Sequence, residues 1–298
     1  MHDLEWAQDY MEDDTRRTAL FKLAEQIFGL RMENWYRHAP ANRRYIPFSY
    51  FDGGRTIANV SANLLNLVID GEWKPAVQLG TVMTHPDYRG RGLAGRLMNR
   101  VLEYYEGTYD VMYLFANRSV LHFYPKYGFE PVSEQFFILD WSPSKLQLAG
   151  EGIGKLDPRN KDDLQFIACM AAARKPVSHV LGAANAEGIL MFYCLNVFPD
   201  DIHYLEEEKA IVICKRHMTD PARLEIFDII SSVEIDIHRV LSRLAGEEIR
   251  TVVFHYTPDY QGIQLRSSMF NGSEVLFVKT NGSVRLPPLI KHPITAQA

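Results

Sequence analysis

Gly90, Gly92 and Gly95 stand between an apolar run, Val77-Gln78-Leu79-Gly80-Thr81-Val82-Met83, and a segment in which Leu93, Leu97, Met98, Val101, Leu102 and Tyr105 recur at helical spacing. A glycine turn that opens a helix leaves backbone N–H groups without intrahelical acceptors. They converge on one spot, with the positive end of the helix dipole behind them. Such a turn binds anions, phosphate foremost. Arg89 and Arg91 flank it, and a guanidinium adds charge and paired donors for phosphate oxygens. Either arginine alone reads as a solvated side chain beside an acid; the glycines at a helix start favour the anion.

Two cofactors fit these letters. Gly90, Gly92 and Gly95 satisfy the dinucleotide fingerprint G-x-G-x-x-G, which serves nicotinamide and flavin enzymes. That fingerprint follows its strand directly, whereas His85-Pro86-Asp87-Tyr88-Arg89 intervenes here. The next strand should end in an acid for the ribose hydroxyl, and this one ends Phe115-Ala116-Asn117. The preceding strands also read as antiparallel, not as βαβ units, so the dinucleotide reading is set aside.

A second group of chemistry-bearing residues runs from Asn117 to Phe123-Tyr124-Pro125-Lys126-Tyr127-Gly128-Phe129. On residue type alone, Tyr124 is a core aromatic beside Phe123 and Tyr127. Asn117 is a cap for a helix opening at Ser119. Asp70, Glu72, His85 and His122 are close to these segments in sequence, but each reads as a surface or turn residue, and no general base is assigned. Neither H-E-x-x-H nor paired cysteine spacing occurs, and G-x-S-x-G is absent. Metal binding and serine hydrolysis therefore have no support.

The elements that must position these groups follow from periodicity. Apolar residues from Leu20 to Met32 predict one or two helices over 16–38, packed on a sheet. Tyr45–Phe51, Thr56–Ile69 and Val77–Met83 read as consecutive antiparallel strands joined by turns at Asp52-Gly53-Gly54 and Asp70-Gly71. The helix after the glycine turn is expected to reach about Tyr105 and to stop at Gly107. Val111–Phe115 then gives a right-handed parallel strand–helix–strand unit. Ser119–Tyr127 is expected as a short helix, tight or kinked at Pro125, and Phe136–Trp141 as a closing strand.

Beyond a Ser/Pro/Gly-rich stretch the order repeats. A helix is expected at Leu164–Ala173, strands at His203–Glu206, Ala210–Cys214 and Arg223–Ile229, a helix at Val233–Leu244, and strands at Thr251–His255 and Val275–Val278. Where the first half has its glycine turn, the second has Ile229-Ile230-Ser231-Ser232-Val233. No phosphate loop is expected there.

With both motifs in view, His85-Pro86-Asp87-Tyr88-Arg89-Gly90-Arg91-Gly92-Leu93-Ala94 resembles the acetyl-CoA loop of the GNAT (Gcn5-related) N-acetyltransferases. Its pattern Gln/Arg-x-x-Gly-x-Gly/Ala is filled by Arg89, Gly92 and Ala94. The block around Tyr124 resembles the family's other signature. The likeness covers residues 16–141 and implies an α/β (α+β) GNAT fold, a mixed, largely antiparallel sheet flanked by helices. A second, smaller GNAT-like domain would follow it. The implied division is a catalytic domain over 1–142, a linker over 143–155 and a degenerate GNAT-like domain over 156–298.

The resemblance also implies roles. Acetyl-CoA would be the co-substrate, its pyrophosphate held by backbone N–H groups of Arg89, Gly90, Arg91, Gly92, Leu93 and Ala94. Its pantetheine arm would pair with the edge of Val82, Met83 and Thr84, and Asn117 would bond that arm or cap its own turn. Tyr124 would return a proton to the departing thiolate. The implied reaction is transfer of an acetyl group to a primary amine of a small molecule or protein by direct attack on the thioester. The alternative is a non-catalytic acyl-CoA-binding or assembly protein that keeps the cofactor site.

Composition sets outer bounds. A net charge of -5 speaks against a nucleic-acid partner. No apolar run approaches the ~20 residues of a membrane span, so no membrane partner is expected; a homo-oligomer is left open. Cys169, Cys194 and Cys214 are an odd, scattered set, which fits a reducing compartment and a cytoplasmic location.

Overall fold

The computed structural model describes residues 4–38, 44–142, 150, 152–282 and 284–298. Strand β1 (Glu5–Gln8) leads into α1 (Asp14–Phe28) and α2 (Met32–His38). Asp13 starts α1 by accepting the N–H groups of Thr15 and Arg16, and Gly29 ends it in the left-handed conformation. Strands β2 (Tyr45–Asp52), β3 (Arg55–Ile69) and β4 (Glu72–Thr84) form an antiparallel meander. Its hairpin turns have positive φ at Gly53 and Gly54 and at Asp70 and Gly71, the twist-matched turn that two-residue loops prefer.

Helix α3 (Leu93–Tyr104) then crosses to β5 (Val111–Asn117), which pairs parallel with β4. The segment expected as a helix over Ser119–Tyr127 is instead two 3-10 turns, Arg118–Val120 and Tyr124–Tyr127, with Pro125 at the start of the second. Proline has no N–H to donate and fixes φ, so it opens a turn there rather than sitting inside a helix. The short strand β6 (Glu130–Val132) and β7 (Gln135–Asp140) end the first half.

The second half contains β8 (Ile153–Lys155), α4 (Lys161–Ala173), β9 (Leu181–Ala184), α5 (Glu187–Asn196), β10 (Ile202–Leu205), β11 (Ala210–Arg216), β12 (Arg223–Ile230), α6 (Ile237–Leu244), β13 (Thr251–Phe254), β14 (Leu265–Met269) and β15 (Glu274–Thr280). Residues 143–149 and 151 of the expected linker lie outside the described residues, and residues 153–155 are strand, paired with β10. Helix α6 starts at Ile237 rather than at Val233, because Asp236 supplies the N-cap.

Two sheets result, and they exchange strands: the first takes β9 and β15 from the second half, and the second takes β7 from the first. The first runs β1-β2-β3-β4-β5-β15-β6, with β9 continuing along β3; the second runs β14-β7-β13-β12-β11-β10-β8. β7 leaves the first sheet and lies antiparallel between β13 and β14. β15 returns the exchange and lies antiparallel between β5 and β6. The β12–α6–β13 crossover repeats the parallel β4–α3–β5 unit. The first half therefore closes around a strand of the second. A cut after residue 142 separates both β7 and β15 from the strands beside them.

The chain after β15 is pinned across both sheets. Lys291 Nζ donates to Glu134 Oε1 at 3.0 Å, both side chains being almost fully buried. Thr295 Oγ1 donates to Asp228 Oδ2 at 2.5 Å, and Arg174 grips the same carboxylate with two nitrogens at 2.8 and 2.6 Å. His292 bonds the Tyr113 hydroxyl through Nε2 at 3.1 Å, while its Nδ1 has no partner among the described residues. Burial, and then the charge of Lys291, push its pKa down to about 3 from 6.5.

That shift makes a prediction about stability. Below pH 6.5 the unfolded chain takes up a proton that folded His292 refuses, so stability falls as pH falls through that window. Between pH 6.5 and 5 the loss is about 2 kcal/mol. Urea midpoints at these pH values should show it, and His292→Gln should remove it. An equal drop in the variant assigns the loss to other groups.

Candidate active site

The site is built where β4 and β5 part. Their ladder runs from Ala76↔Val111 to Leu79↔Leu114 and stops. From Gly80 to Thr84, β4 keeps only its β3 neighbour, with Met83 opposite Asn59 and Thr84 opposite Ala58. Val82, Met83 and Thr84 therefore present an edge without a strand partner on the β5 side, while β5 turns to pair with β15.

The parting has a local cause that the sequence did not show. Thr81 has φ +45, and the β3–β4 register slips between Asn59 and Ser61. A β-branched residue in the left-handed region is strained and needs its surroundings to hold it. A buried polar cluster does so. Asn59 Nδ2 donates to the Thr81 carbonyl at 2.9 Å, and the Thr81 hydroxyl bonds Ser61 Oγ at 2.8 Å and the Tyr45 hydroxyl at 2.9 Å. Ser49 Oγ donates to Asn59 Oδ1 at 2.8 Å and meets the Tyr10 hydroxyl at 2.5 Å. The bulge is thus tied to β2 and β3 by hydrogen bonds that leave no slack.

At the end of β4, Pro86–Tyr88 forms a 3-10 turn capped by His85 Nδ1, and Tyr88 donates its hydroxyl proton to Asp52. Gly90 and Gly92 both have positive φ, +75 and +71, and Gly92 is the N-cap of α3 with no side-chain cap. Arg96 N–H is the first that finds a helical acceptor, the Gly92 carbonyl at 3.1 Å. Among the described residues no protein acceptor takes the N–H groups of Gly90, Arg91, Gly92, Leu93, Ala94 or Gly95. A Cβ added at Gly90 or Gly92 would meet nothing within 4 Å, whereas one at Gly95 would come within 2.7 Å of the Tyr127 hydroxyl. The first two glycines serve the turn, and the third lets Tyr127 lie against α3. Arg89 and Arg91 are exposed. Arg89 Nε reaches the Thr84 carbonyl at 3.4 Å, and Arg91 bonds the Asp87 carbonyl at 2.9 Å while lying over the Tyr88 ring.

Tyr124 sits beyond the end of β5. It is 5% exposed, with its ring 5.7 Å from Phe277 on the returning strand and 5.2 Å from Phe123. Its hydroxyl has no hydrogen-bond partner among the described residues. Burial, and then the charge of Glu274, push its pKa up to about 12. Asn117 accepts from the Ser119 N–H at 3.0 Å and the Ser119 hydroxyl at 2.9 Å, so its carbonyl oxygen caps the turn.

The bases named from sequence are less well placed. Asp70 and Glu72 lie at the hairpin end of β4, some ~40 Å of strand from Thr84, and Glu72 is paired with Lys74. His122 is exposed, and His85 is engaged as the cap.

The geometry matches known proteins. The model of the acetyltransferase (GNAT) domain matches residues 13–132. Over these residues, fewer than half of the chain, the sequence is similar to a GNAT acetyltransferase domain. No curated protein matches the chain in sequence. Among solved structures, a probable N-acyltransferase of unknown function from Enterococcus faecalis V583 aligns with a TM-score of 0.59 at 15% identity, over 93% of this chain and 72% of that one. A GCN5-related N-acetyltransferase from Kribbella flavida aligns with 0.56 at 16%, over 93% and 72%. One from Anabaena variabilis aligns with 0.53 at 15%, over 93% and 73%. At these identities the likeness is one of fold, and it extends beyond the GNAT domain into the second half. The domain points to acyl transfer as the chemistry.

The second half adds residues to the site that sequence reading missed. Helix α5 reaches the GNAT domain where the Trp35 indole donates to the Gly188 carbonyl at 2.6 Å. The last residues thread to the fork of β4 and β5. Gln78 Nε2 donates to the Ala296 carbonyl at 2.8 Å, its Oε1 accepts the Ala298 N–H at 2.5 Å, and a Cβ on Gly80 would come within 3.3 Å of Ala298. No motif marks these residues; their place depends on the fold alone.

Proposed function

We propose that this chain is an acetyl-CoA-dependent N-acetyltransferase that passes the acetyl group to a primary amine by direct attack on the thioester. The observation that carries this reading is Tyr124: a buried phenol, held protonated, whose hydroxyl has no partner among the described residues, in a domain whose β4 has an edge open to a pantetheine arm. The amide-like arm of CoA fits the unpaired edge of Val82, Met83 and Thr84. The free N–H groups of Gly90 to Ala94, with Arg89 and Arg91 beside them, fit a pyrophosphate. Tyr124 supplies the proton that the leaving thiolate needs. A backbone N–H of the same open edge stabilises the developing oxyanion, a contribution of about 3–4 kcal/mol in other acyl-transfer sites.

The second half, in this reading, is a degenerate GNAT-like domain that walls the acceptor site. At its own crossover Asp236 accepts the His238 and Arg239 N–H groups at the start of α6, so a side chain takes up donors that a phosphate would bind. A cytoplasmic location fits three free cysteines, two of them buried. Among the described residues no helix is long and apolar enough to cross a membrane.

The rival is an acyl-CoA-binding protein without turnover, which has no use for a buried, protonated phenol. Thiol release from acetyl-CoA separates the two when measured with spermidine, kanamycin and a lysine-terminated peptide as acceptors. Release above background hydrolysis with any amine is expected. Tight acetyl-CoA binding with no amine-dependent release would establish the rival.

A further inference from the structure

Acyl transfer to an amine needs a base as well as Tyr124, since an ammonium has no lone pair to attack with. Four carboxylates outside the motifs are strongly buried among the described residues, and each is neutralised. Glu134 is bound to Lys291 Nζ and the His292 N–H, Asp228 to Arg174 and Thr295, Glu225 to Arg223 and His255, and Glu208 to Arg243. Glu274 differs. It is half-buried and has no ion pair among the described residues, and its carboxylate accepts only the Gln297 side-chain amide.

Its position is set by the strand exchange. Glu274 is the first residue of β15 and pairs with Asn117, the last residue of β5, at the point where β5 has parted from β4. Gln297, which holds it, precedes the Ala298 that packs against Gly80 at the fork. Tyr124, and Tyr193 of α5, are close enough for the carboxylate's charge to hold both phenols protonated more firmly. Glu274 therefore lies beside the end of β5, past the point where β5 has left β4, with its carboxylate held by Gln297.

We propose that Glu274 is the general base that deprotonates the acceptor ammonium. The assignment rests on the acyl-transfer reading above. A carboxylate oxygen takes one proton from the ammonium, and the freed nitrogen lone pair forms the C–N bond at the thioester carbonyl. As the C–S bond breaks, Tyr124 gives its proton to sulfur and regains one from the nitrogen. The products are the amide and the free thiol, and Glu274 then releases its proton to solvent. The charged and titratable groups facing Glu274 are Lys291 and Glu134 from the pinned tail and β6–β7 connection, Tyr124, and Tyr193. Burial raises the Glu274 pKa most; the Gln297 amide and Lys291 lower it, and Glu134 raises it. A carboxylate shifted upward is a better proton acceptor when ionised.

The test uses the full chain, acetyl-CoA and the three amines named above. Glu274→Gln keeps an acceptor for the Gln297 amide and so keeps the tail in place. It is expected to lower kcat/KM for the amine by at least about 100-fold, with acetyl-CoA affinity by calorimetry unchanged, and to flatten the acid limb of the pH profile. Gln297→Ala removes a bond that lowers the pKa, so its acid limb should move to higher pH, an effect that a merely structural tail contact would not produce. Glu274→Gln within threefold of wild type, with the acid limb intact, overturns the assignment and leaves the transferase reading standing. A wild-type chain that binds acetyl-CoA and releases no thiol with any of the amines overturns both.

Discussion

Tyr124→Phe is expected to lower turnover by at least about tenfold while leaving acyl-CoA binding and folding as they were. The substitution removes one oxygen from a ring packed between Phe123, Phe129 and Phe277. That oxygen makes no hydrogen bond among the described residues, so the fold loses no bond and the melting temperature should stay put. The reaction loses the group that neutralises the thiolate. Burial and the charge of Glu274 push the phenol pKa up to about 12, so the proton stays in place at neutral pH, ready for the thiolate. Burst and steady-state thiol release, with acetyl-CoA titrated by calorimetry, provide the check. Unchanged turnover removes Tyr124 as the proton donor; a parallel loss of binding makes it a packing residue of the site.

What the sequence shows of this site and what it hides divide along a physical line. The β2–β3–β4 meander, its two turns, α3 and β5 are local patterns: alternation, Asp-Gly turns and a helical stripe that each fix their own element. The partner of a strand is another matter. Phe136–Trp141 and Val275–Val278 read as strands, and both are strands, but alternation does not say which sheet will pair them. Phe137 and Leu139 bury into the second core, and Phe277 packs on Tyr124 in the first. Helix α5 escaped because Gly188-Ile189-Leu190-Met191-Phe192-Tyr193-Cys194 is apolar throughout and has no face to read. Thr81 looks like any strand residue; its strain is visible only in φ.

Glu274 and Gln297 are the sharpest case. The first follows the Asn271-Gly272-Ser273 segment and the second is an unremarked residue near the end of the given chain. Their meaning arises only when β15 crosses into the first sheet, sets Glu274 beside Asn117, and the following segment brings Gln297 to its carboxylate. Gly95 shows the reverse error. It completes the letters of a dinucleotide fingerprint, yet its role is to admit the Tyr127 hydroxyl against α3. The motif was legible; the reason for its third glycine was not.

Gly92→Trp should abolish acyl-CoA binding in a chain that still folds, and the turn itself explains why. Gly92 has φ +71, so any side chain there costs about 1–2 kcal/mol of backbone strain, which a domain of ordinary stability survives. Among the described residues nothing stands within 4 Å of the new Cβ, so the side chain starts out into open space. It projects into the open space over the free N–H groups at the start of α3, where a pyrophosphate must sit. Affinity should fall by more than about 100-fold, since the phosphate bonds and dipole contribution are lost together. Gly92→Ala separates strain from bulk and should bind within a few-fold of wild type. Gly53→Trp, in a hairpin turn with the same sign of φ and the same open surroundings, controls for the tryptophan and should bind normally. If Gly92→Trp keeps its affinity while the circular dichroism spectrum is unchanged, the phosphate is bound elsewhere and the free N–H groups of this turn serve only water.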